Sequence, residues 1–207
     1  MLSKRLQAIC NLVDKNKSVI DIGTDHAYIP IYLYENGITN NICASDISRK
    51  VIEYAKKNII AHHLEDKIKV VVSDGFKNIC DIYDIAIIAG MGTHTILDII
   101  NTNKLPNTLI VSSHNDQYTL RKSICSLGYL IEREIVVKEN NKYYVIIKFT
   151  NGISNLDEDA LLFGISKNID YYNYLKDEYS KLFELSKDTM YLDYKNRLNN
   201  FIEKMLD

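Results

Sequence analysis

Residues 129 to 150 read YLIEREIVVKENNKYYVIIKFT, two β-rich runs parted only by the polar turn at Glu139, Asn140 and Asn141. No helix fits between the runs, so the segment predicts an antiparallel hairpin. Upstream the rhythm differs. Short apolar strands at 18–23 (SVIDIG), 41–46 (NICASD), 68–72 (IKVVV), 84–89 (DIAIIA) and 107–113 (NTLIVSS) alternate with helical stretches at 27–36, 48–62, 93–102 and 116–127. Ser48 is placed to cap the second of these helices and Gly128 to end the last. Strand–helix alternation implies a parallel sheet covered on both faces. The expected fold is therefore α/β, a Rossmann-like doubly wound sheet of seven strands with the last one antiparallel.

Downstream of about residue 155 the pattern turns helical. Leu161, Leu162, Ile165, Ile169, Tyr172, Leu175, Tyr179, Leu182 and Phe183 recur at three- and four-residue spacing, and a second run follows through Tyr191, Leu192, Tyr194, Leu198, Phe201, Ile202, Met205 and Leu206. This predicts two amphipathic helices, an antiparallel coiled-coil-like pair that either stabilises the core or grips a large substrate. The chain thus divides into a ligand-binding domain at 1–153 and a helical extension at 154–207. Every ligand-facing strand edge precedes residue 113, so removing 156–207 is expected to leave ligand binding at those edges detectable.

Composition narrows the partners. Of 207 residues, 46% are hydrophobic, enough for a real core, and 25 Lys and Arg against 27 Asp and Glu give a net charge of -2. No bulk signature of nucleic-acid binding exists; the balance is +2 before residue 150 and -4 after it. Cys10, Cys43, Cys80 and Cys125 lack metal-ligand spacing, and His62-His63 has no partners at such spacing. Reduced thiols, no metal site and a cytoplasmic location are expected. The start, MLSKRLQAIC, is amphipathic where a secretory segment would be apolar, and no apolar run approaches the roughly 18 residues that cross a bilayer.

In a doubly wound sheet, ligands bind outside the carboxyl ends of the strands. Four such edges carry chemistry. After the first strand, Asp21-Ile22-Gly23-Thr24-Asp25-His26-Ala27-Tyr28 has one glycine for a sharp turn and is not GxGxxG. Asp25 would repel a pyrophosphate, which weighs against a dinucleotide oxidoreductase; a cationic sulfonium suffers no such penalty. Asp46, 25 residues after Asp21, is placed to accept both hydroxyls of a ribose, with Ile47 beside it. Asp74 in Ser73-Asp74-Gly75 can face an adenine amino group. In Gly90-Met91-Gly92 two glycines bring backbone close to a ligand, and Met91 offers a soft apolar surface.

Together these pieces resemble the bacterial tRNA (adenine-22-N1)-methyltransferase family. The matching stretches are Leu2-Ser3-Lys4-Arg5-Leu6, Asp21 to Pro30 (DIGTDHAYIP), Ser73-Asp74-Gly75, Ile88-Ala89-Gly90-Met91-Gly92, Leu120-Arg121 and Gly128-Tyr129. Seven strands with an antiparallel last strand is also the plan of class I S-adenosylmethionine-dependent methyltransferases. The resemblance implies S-adenosylmethionine as cofactor, held by Asp21, Gly23, Asp46, Ile47, Asp74, Gly75, Gly90, Met91 and Gly92. It implies transfer to N1 of adenosine 22 in the D arm of tRNA, the expected partner of a monomeric enzyme that touches no membrane.

For that chemistry Asp25 is the catalytic candidate, accepting from the base amino group. Tyr28, His114 and Asn115 are candidates for the base, and Lys4 and Arg5, with Arg49, Lys50, Arg121 and Lys122, for phosphates. The chain departs from the family in two places. Thr93 follows AGMG where the family has a further glycine, and Ser112-Ser113-His114-Asn115 replaces a Gln-Pro-Asn stretch. Without a gap His114 takes the Asn slot; shifted by one, Asn115 does. Two rival readings are a class I methyltransferase of a small molecule or protein, and a tRNA-binding protein without catalysis. The family motif weighs against the first and the full set of cofactor edges against the second.

Overall fold

The computed structural model describes residues 2–206. Seven strands, β1 (Val19–Ile22), β2 (Ile42–Asp46), β3 (Ile68–Val72), β4 (Ile85–Met91), β5 (Thr108–Ser113), β6 (Tyr129–Glu139) and β7 (Lys142–Asn151), form one sheet in the order β3-β2-β1-β4-β5-β7-β6. The first five run parallel; β7 is antiparallel to both β5 and β6. The hairpin closes at Asn140 and Asn141, with φ of 49° and 60°, the left-handed pair that a two-residue turn between twisted strands requires.

Strand periodicity sends alternate side chains to opposite faces. Val19, Ile85, Ile87 and Ile110 enter one apolar cluster, while Ile20, Ala86, Ile88, Leu109 and Val111 enter the other. The first face is covered by α1 (Lys4–Cys10), α2 (Tyr28–Glu35) and α3 (Arg49–Ala61), through Ile9, Leu33 and Ile59 among others. Ser3 and Ser48 cap α1 and α3, accepting from Leu6 N at 3.3 Å and Val51 N at 3.3 Å. The second face carries α4 (Thr93–Ile100), α5 (Gln117–Ser126) and the C-terminal helices. The chain reverses its winding between β3 and β4, so the carboxyl ends of β1 and β4 part and leave a crevice.

The expected pair of long helices is present as α7 (Ile169–Ser186) and α8 (Thr189–Leu206), preceded by the short α6 (Glu158–Phe163). The sequence pattern ran unbroken from Leu161 through Phe183, yet the backbone breaks at Gly164 (φ 87°) and Lys167 (φ 53°), and Asp157 and Asn168 cap two separate helices. Arg121 explains the break. Its side chain is wholly buried, donating to both Glu134 carboxylate oxygens (Nε 2.8 Å, Nη2 3.1 Å) and from Nη1 to the carbonyls of Leu161 (2.9 Å) and Leu162 (3.2 Å). A Cβ on Gly164 would collide with that ion pair. Arg121, grouped above with the phosphate contacts, is thereby corrected to a core residue that fastens α6 to α5 and β6. Phe163, Tyr171, Tyr172, Leu198 and Ile202 join the cluster built on Ile88 and Val111, so these helices share the hydrophobic core of the sheet. Among the described residues, no helix is long and apolar enough to cross a membrane.

Candidate active site

Four strand ends meet at the crevice. Asp21, at the end of β1, is buried and accepts from the Thr24 hydroxyl at 2.7 Å. Burial pushes its carboxyl up to about 7; the Thr24 hydrogen bond opposes the rise and the Asp46 charge adds to it. The chain then turns at Gly23, φ 76°, where a Cβ would run into the Met91 methyl. The turn's positive φ is what favours glycine at 23, and the absent side chain leaves room for the end of Met91. Gly23 N and Thr24 N both donate to Ser45 O, at 2.9 and 3.0 Å, which folds this turn over the end of β2.

Asp46 accepts from Ser48 N through Oδ1 at 2.8 Å, and among the described residues Oδ2 has no partner. Ser73 ties the next edge together, with its amide on Asp46 O at 2.9 Å and its hydroxyl on Gly75 O at 2.7 Å, leaving Asp74 outward and paired with Lys77 at 2.6 Å. Gly75 (φ 55°) lies against Ile99 of α4. At the end of β4 the pairing with β5 slips between Ala89 and Met91, and Gly90 (φ 83°) occupies the irregularity. The slip turns backbone toward the crevice, as bulges beside functional sites do.

Two adjoining cavities result. The first, about 440 Å³, is lined by Ile22, Gly23, Asp46, Ile47, Asp74, Gly75 and Met91 together with Thr95, Asp98 and Ile99 of α4. The second, about 380 Å³, is lined by Asp21, Gly23, Asp25, Tyr28, Asp46, Gly90, His114 and Arg5. They share Gly23 and Asp46. Asp25 has a left-handed backbone (φ 51°) and a side chain 74% exposed, with His26 Nε2 at 3.7 Å. Asn58 Nδ2 pins the same turn by donating to His26 O at 2.7 Å. A non-glycine residue held in this conformation with an exposed carboxylate is a feature of functional loops. Among the described residues, no group of three His, Cys, Asp or Glu is placed to hold a metal.

The methyltransferase-domain family model matches residues 2–147. A Bacillus subtilis (strain 168) tRNA (adenine(22)-N(1))-methyltransferase is 30% identical over 170 residues, 80% of this chain and 70% of that one. The chain belongs to this methyltransferase family. TrmK of M. capricolum, solved with S-adenosylhomocysteine, superposes with a TM-score of 0.86 at 33% identity, over 100% of this chain and 98% of that chain. A candidate tRNA (m1A22) methyltransferase of Streptococcus pneumoniae, solved with S-adenosyl-L-methionine, does so with a TM-score of 0.89 at 27% identity, over 98% and 100%.

The departures from the family pattern form one local unit. Thr93 Oγ1 stands 2.8 Å from Ser113 Oγ and donates to Asn115 O at 2.6 Å, while Asn115 Oδ1 accepts from Thr93 N at 3.0 Å. Asn115 therefore completes the start of α4 and lines neither of the two cavities, whereas His114 lines the second. Gly92, the N-cap of α4, and Lys4, whose amide donates to Glu139 at 2.8 Å, also line neither. The other expected residues converge as described. Thr95, Asp98 and Ile99 were missed, although their three- and four-residue spacing on α4 puts them on one helical face, a signal the sequence does carry.

Proposed function

We propose that this chain is a tRNA methyltransferase that transfers a methyl group from S-adenosylmethionine to N1 of adenosine 22 in the D arm. The observation that carries the reading is the pair of cavities joined at Gly23 and Asp46, one walled by acidic strand ends and glycines, the other by a carboxylate, an aromatic ring and an imidazole. The first fits the nucleoside of the cofactor. Asp46 keeps Oδ2 for ribose hydroxyls, Asp74, Gly75 and Ile47 flank an adenine, and left-handed glycines at 23 and 75 keep side chains out of the space. Asp21 and Gly90 face the methionyl end from the second cavity.

When bound, S-adenosylmethionine supplies an electrophilic methyl group on a sulfonium. Adenine N1 carries an in-plane lone pair, so no general base is needed; the protein contributes alignment and an acceptor for the amino group beside it. Asp25 serves as that acceptor, with Tyr28 and His114 orienting the ring and Arg5 and Lys4 toward the RNA backbone. The reading places the enzyme in the cytoplasm as a monomer, in keeping with four unpaired cysteines. Methyl transfer to unmodified tRNA transcripts tests the activity: adenosine at position 22 should accept the label, and transcripts with guanosine there should not.

Asp25→Ala is expected to lower the single-turnover rate by about ten- to a hundredfold at unchanged cofactor affinity, the worth of one charge-assisted hydrogen bond. Asp25→Asn separates acceptor from charge. An amide still accepts from N6 but does not offset the positive charge that builds on the base, so a rate far below wild type marks a charge role. Near wild-type rates for both variants would remove Asp25 from the mechanism.

Asp21 sets a pH dependence. The folded chain holds a proton on this carboxyl that the unfolded chain releases near pH 4, so apo-protein stability should fall as pH rises from about 4 to about 7 and level off above that. Cofactor binding runs the other way. The ionised carboxylate attracts the cofactor's ammonium, so affinity should climb from about pH 6 to about pH 8 with proton release on binding. Calorimetry in buffers of different ionisation enthalpy measures that proton; if Asp21→Asn keeps the same pH profile, another group is titrating.

A further inference from the structure

His114 lines a third cavity as well as the base cavity. This cleft, of about 490 Å³, opens between the loop after β5, the start of β7 and the first turns of α7. Its walls are Tyr143 and Tyr144 from β7 and Tyr171 and Tyr174 from α7. The Tyr143 ring lies 5.0 Å from that of Tyr174 and 5.6 Å from that of Tyr171, and the Tyr171 and Tyr174 planes are inclined by only 24°. Cations border the rings: Lys138 Nζ is 4.9 Å from the Tyr143 centroid, Arg5 Cζ is 5.1 Å from that of Tyr144, and Lys142 at the rim is exposed. On the opposite wall Gln117 donates to Ser113 O at 3.0 Å, which leaves its own Oε1 buried without a partner.

Aromatic faces bordered by cations are what single-stranded nucleic acid seeks, through base stacking and phosphate attraction together. Resting on the proposed function, the need for such a place is physical. Extruding the target adenosine from the D arm unstacks the nucleotides beside it, and that cost falls if a neighbour finds a new stacking partner. The geometry points to this tyrosine cleft as a second base subsite, which takes a nucleotide adjacent to the target adenosine while the target occupies the cavity on the other side of His114. A base with an exocyclic amino group can supply the donor that Gln117 Oε1 lacks. Because Tyr171 and Tyr174 belong to α7, the subsite also gives the C-terminal helices a direct part in holding tRNA.

The test uses the full chain with saturating cofactor and transcripts carrying 2-aminopurine on either side of the target adenosine. One of the two probes should be quenched on binding to the wild type. Tyr143→Ala and Tyr174→Ala should each weaken tRNA binding by about tenfold, the worth of roughly one stacked base, and remove the quenching with cofactor affinity kept, and Tyr174→Ala should keep its thermal midpoint. Tyr143→Phe and Tyr174→Phe should stay within about twofold of wild type, since the ring face does the stacking. Tyr174 is 40% exposed, so its alanine variant carries the test if Tyr143→Ala does not fold. Unchanged tRNA affinity in folded alanine variants, or no quenching at either position, overturns the subsite. Failure of the wild type to methylate the transcript counts instead against the proposed function, and the quenching still reports on the cleft.

Discussion

A chain ending at residue 155 is expected not to fold, and so to lose cofactor binding together with tRNA methylation. This reverses what the sequence pattern suggests, since all four cofactor edges precede residue 113. The reason is the Arg121 guanidinium. Among the described residues, the acceptors of its Nη1 are the carbonyls of Leu161 and Leu162, and truncation would leave those donors and the Glu134 pair without cover. A buried donor left without its acceptor costs about 1–3 kcal/mol, a large share of the roughly 5–15 kcal/mol that holds a domain together. Truncation also strips Phe163, Tyr171, Tyr172, Leu198 and Ile202 from the apolar cluster they share with Leu120, Ile124 and Phe149. Circular dichroism through a thermal ramp measures the outcome. Gly164→Ala provides a finer version, because its Cβ enters the same ion pair on a left-handed backbone, and it should lower the midpoint sharply. A truncated chain with a cooperative transition and intact cofactor affinity would show that α6 to α8 are an appendage after all.

Asp46→Ala should weaken S-adenosylmethionine binding by about a hundredfold or more. A carboxylate accepting two ribose hydroxyls makes charge-assisted bonds worth about 1.5–3 kcal/mol each, and alanine leaves both hydroxyls facing an apolar wall. The fold should survive. Ser48 caps α3 through its own side chain, so the variant forfeits only the Asp46 hydrogen bond to Ser48 N, about 1 kcal/mol of stability. Asp46→Asn should fall between, since the amide keeps one acceptor without the charge. Calorimetry decides the point, with the thermal midpoint as the control for folding. Wild-type affinity in a folded Asp46→Ala chain would put the ribose elsewhere along the crevice.

Some of this was legible residue by residue. The continuous apolar runs at Val19–Ile22 and at the start of Ile85–Met91 are buried on both faces and leave little choice but parallel strands, and Asn140-Asn141 forces the antiparallel hairpin that distinguishes this sheet from a dinucleotide fold. Gly23, Asp46, Asp74 and Met91, at or just past the carboxyl ends of β1 to β4, follow from the strand ends alone, because a strand's end in a doubly wound sheet points at the ligand crevice whatever packs around it. Three matters required the folded molecule. Arg121 looked like any surface cation, since nothing local reveals that Glu134 and two carbonyls of α6 converge on it. His114 and Asn115 were equivalent candidates until Thr93, some twenty residues away in sequence, engaged Asn115 and left the imidazole on the base cavity. Tyr143 and Tyr174 carry no motif and meet only because α7 folds back over the start of β7. Local periodicity and turn chemistry are properties of neighbours along the chain and can be read there; the partner of a buried charge or the wall of a cleft is a meeting of distant segments, and only packing decides it.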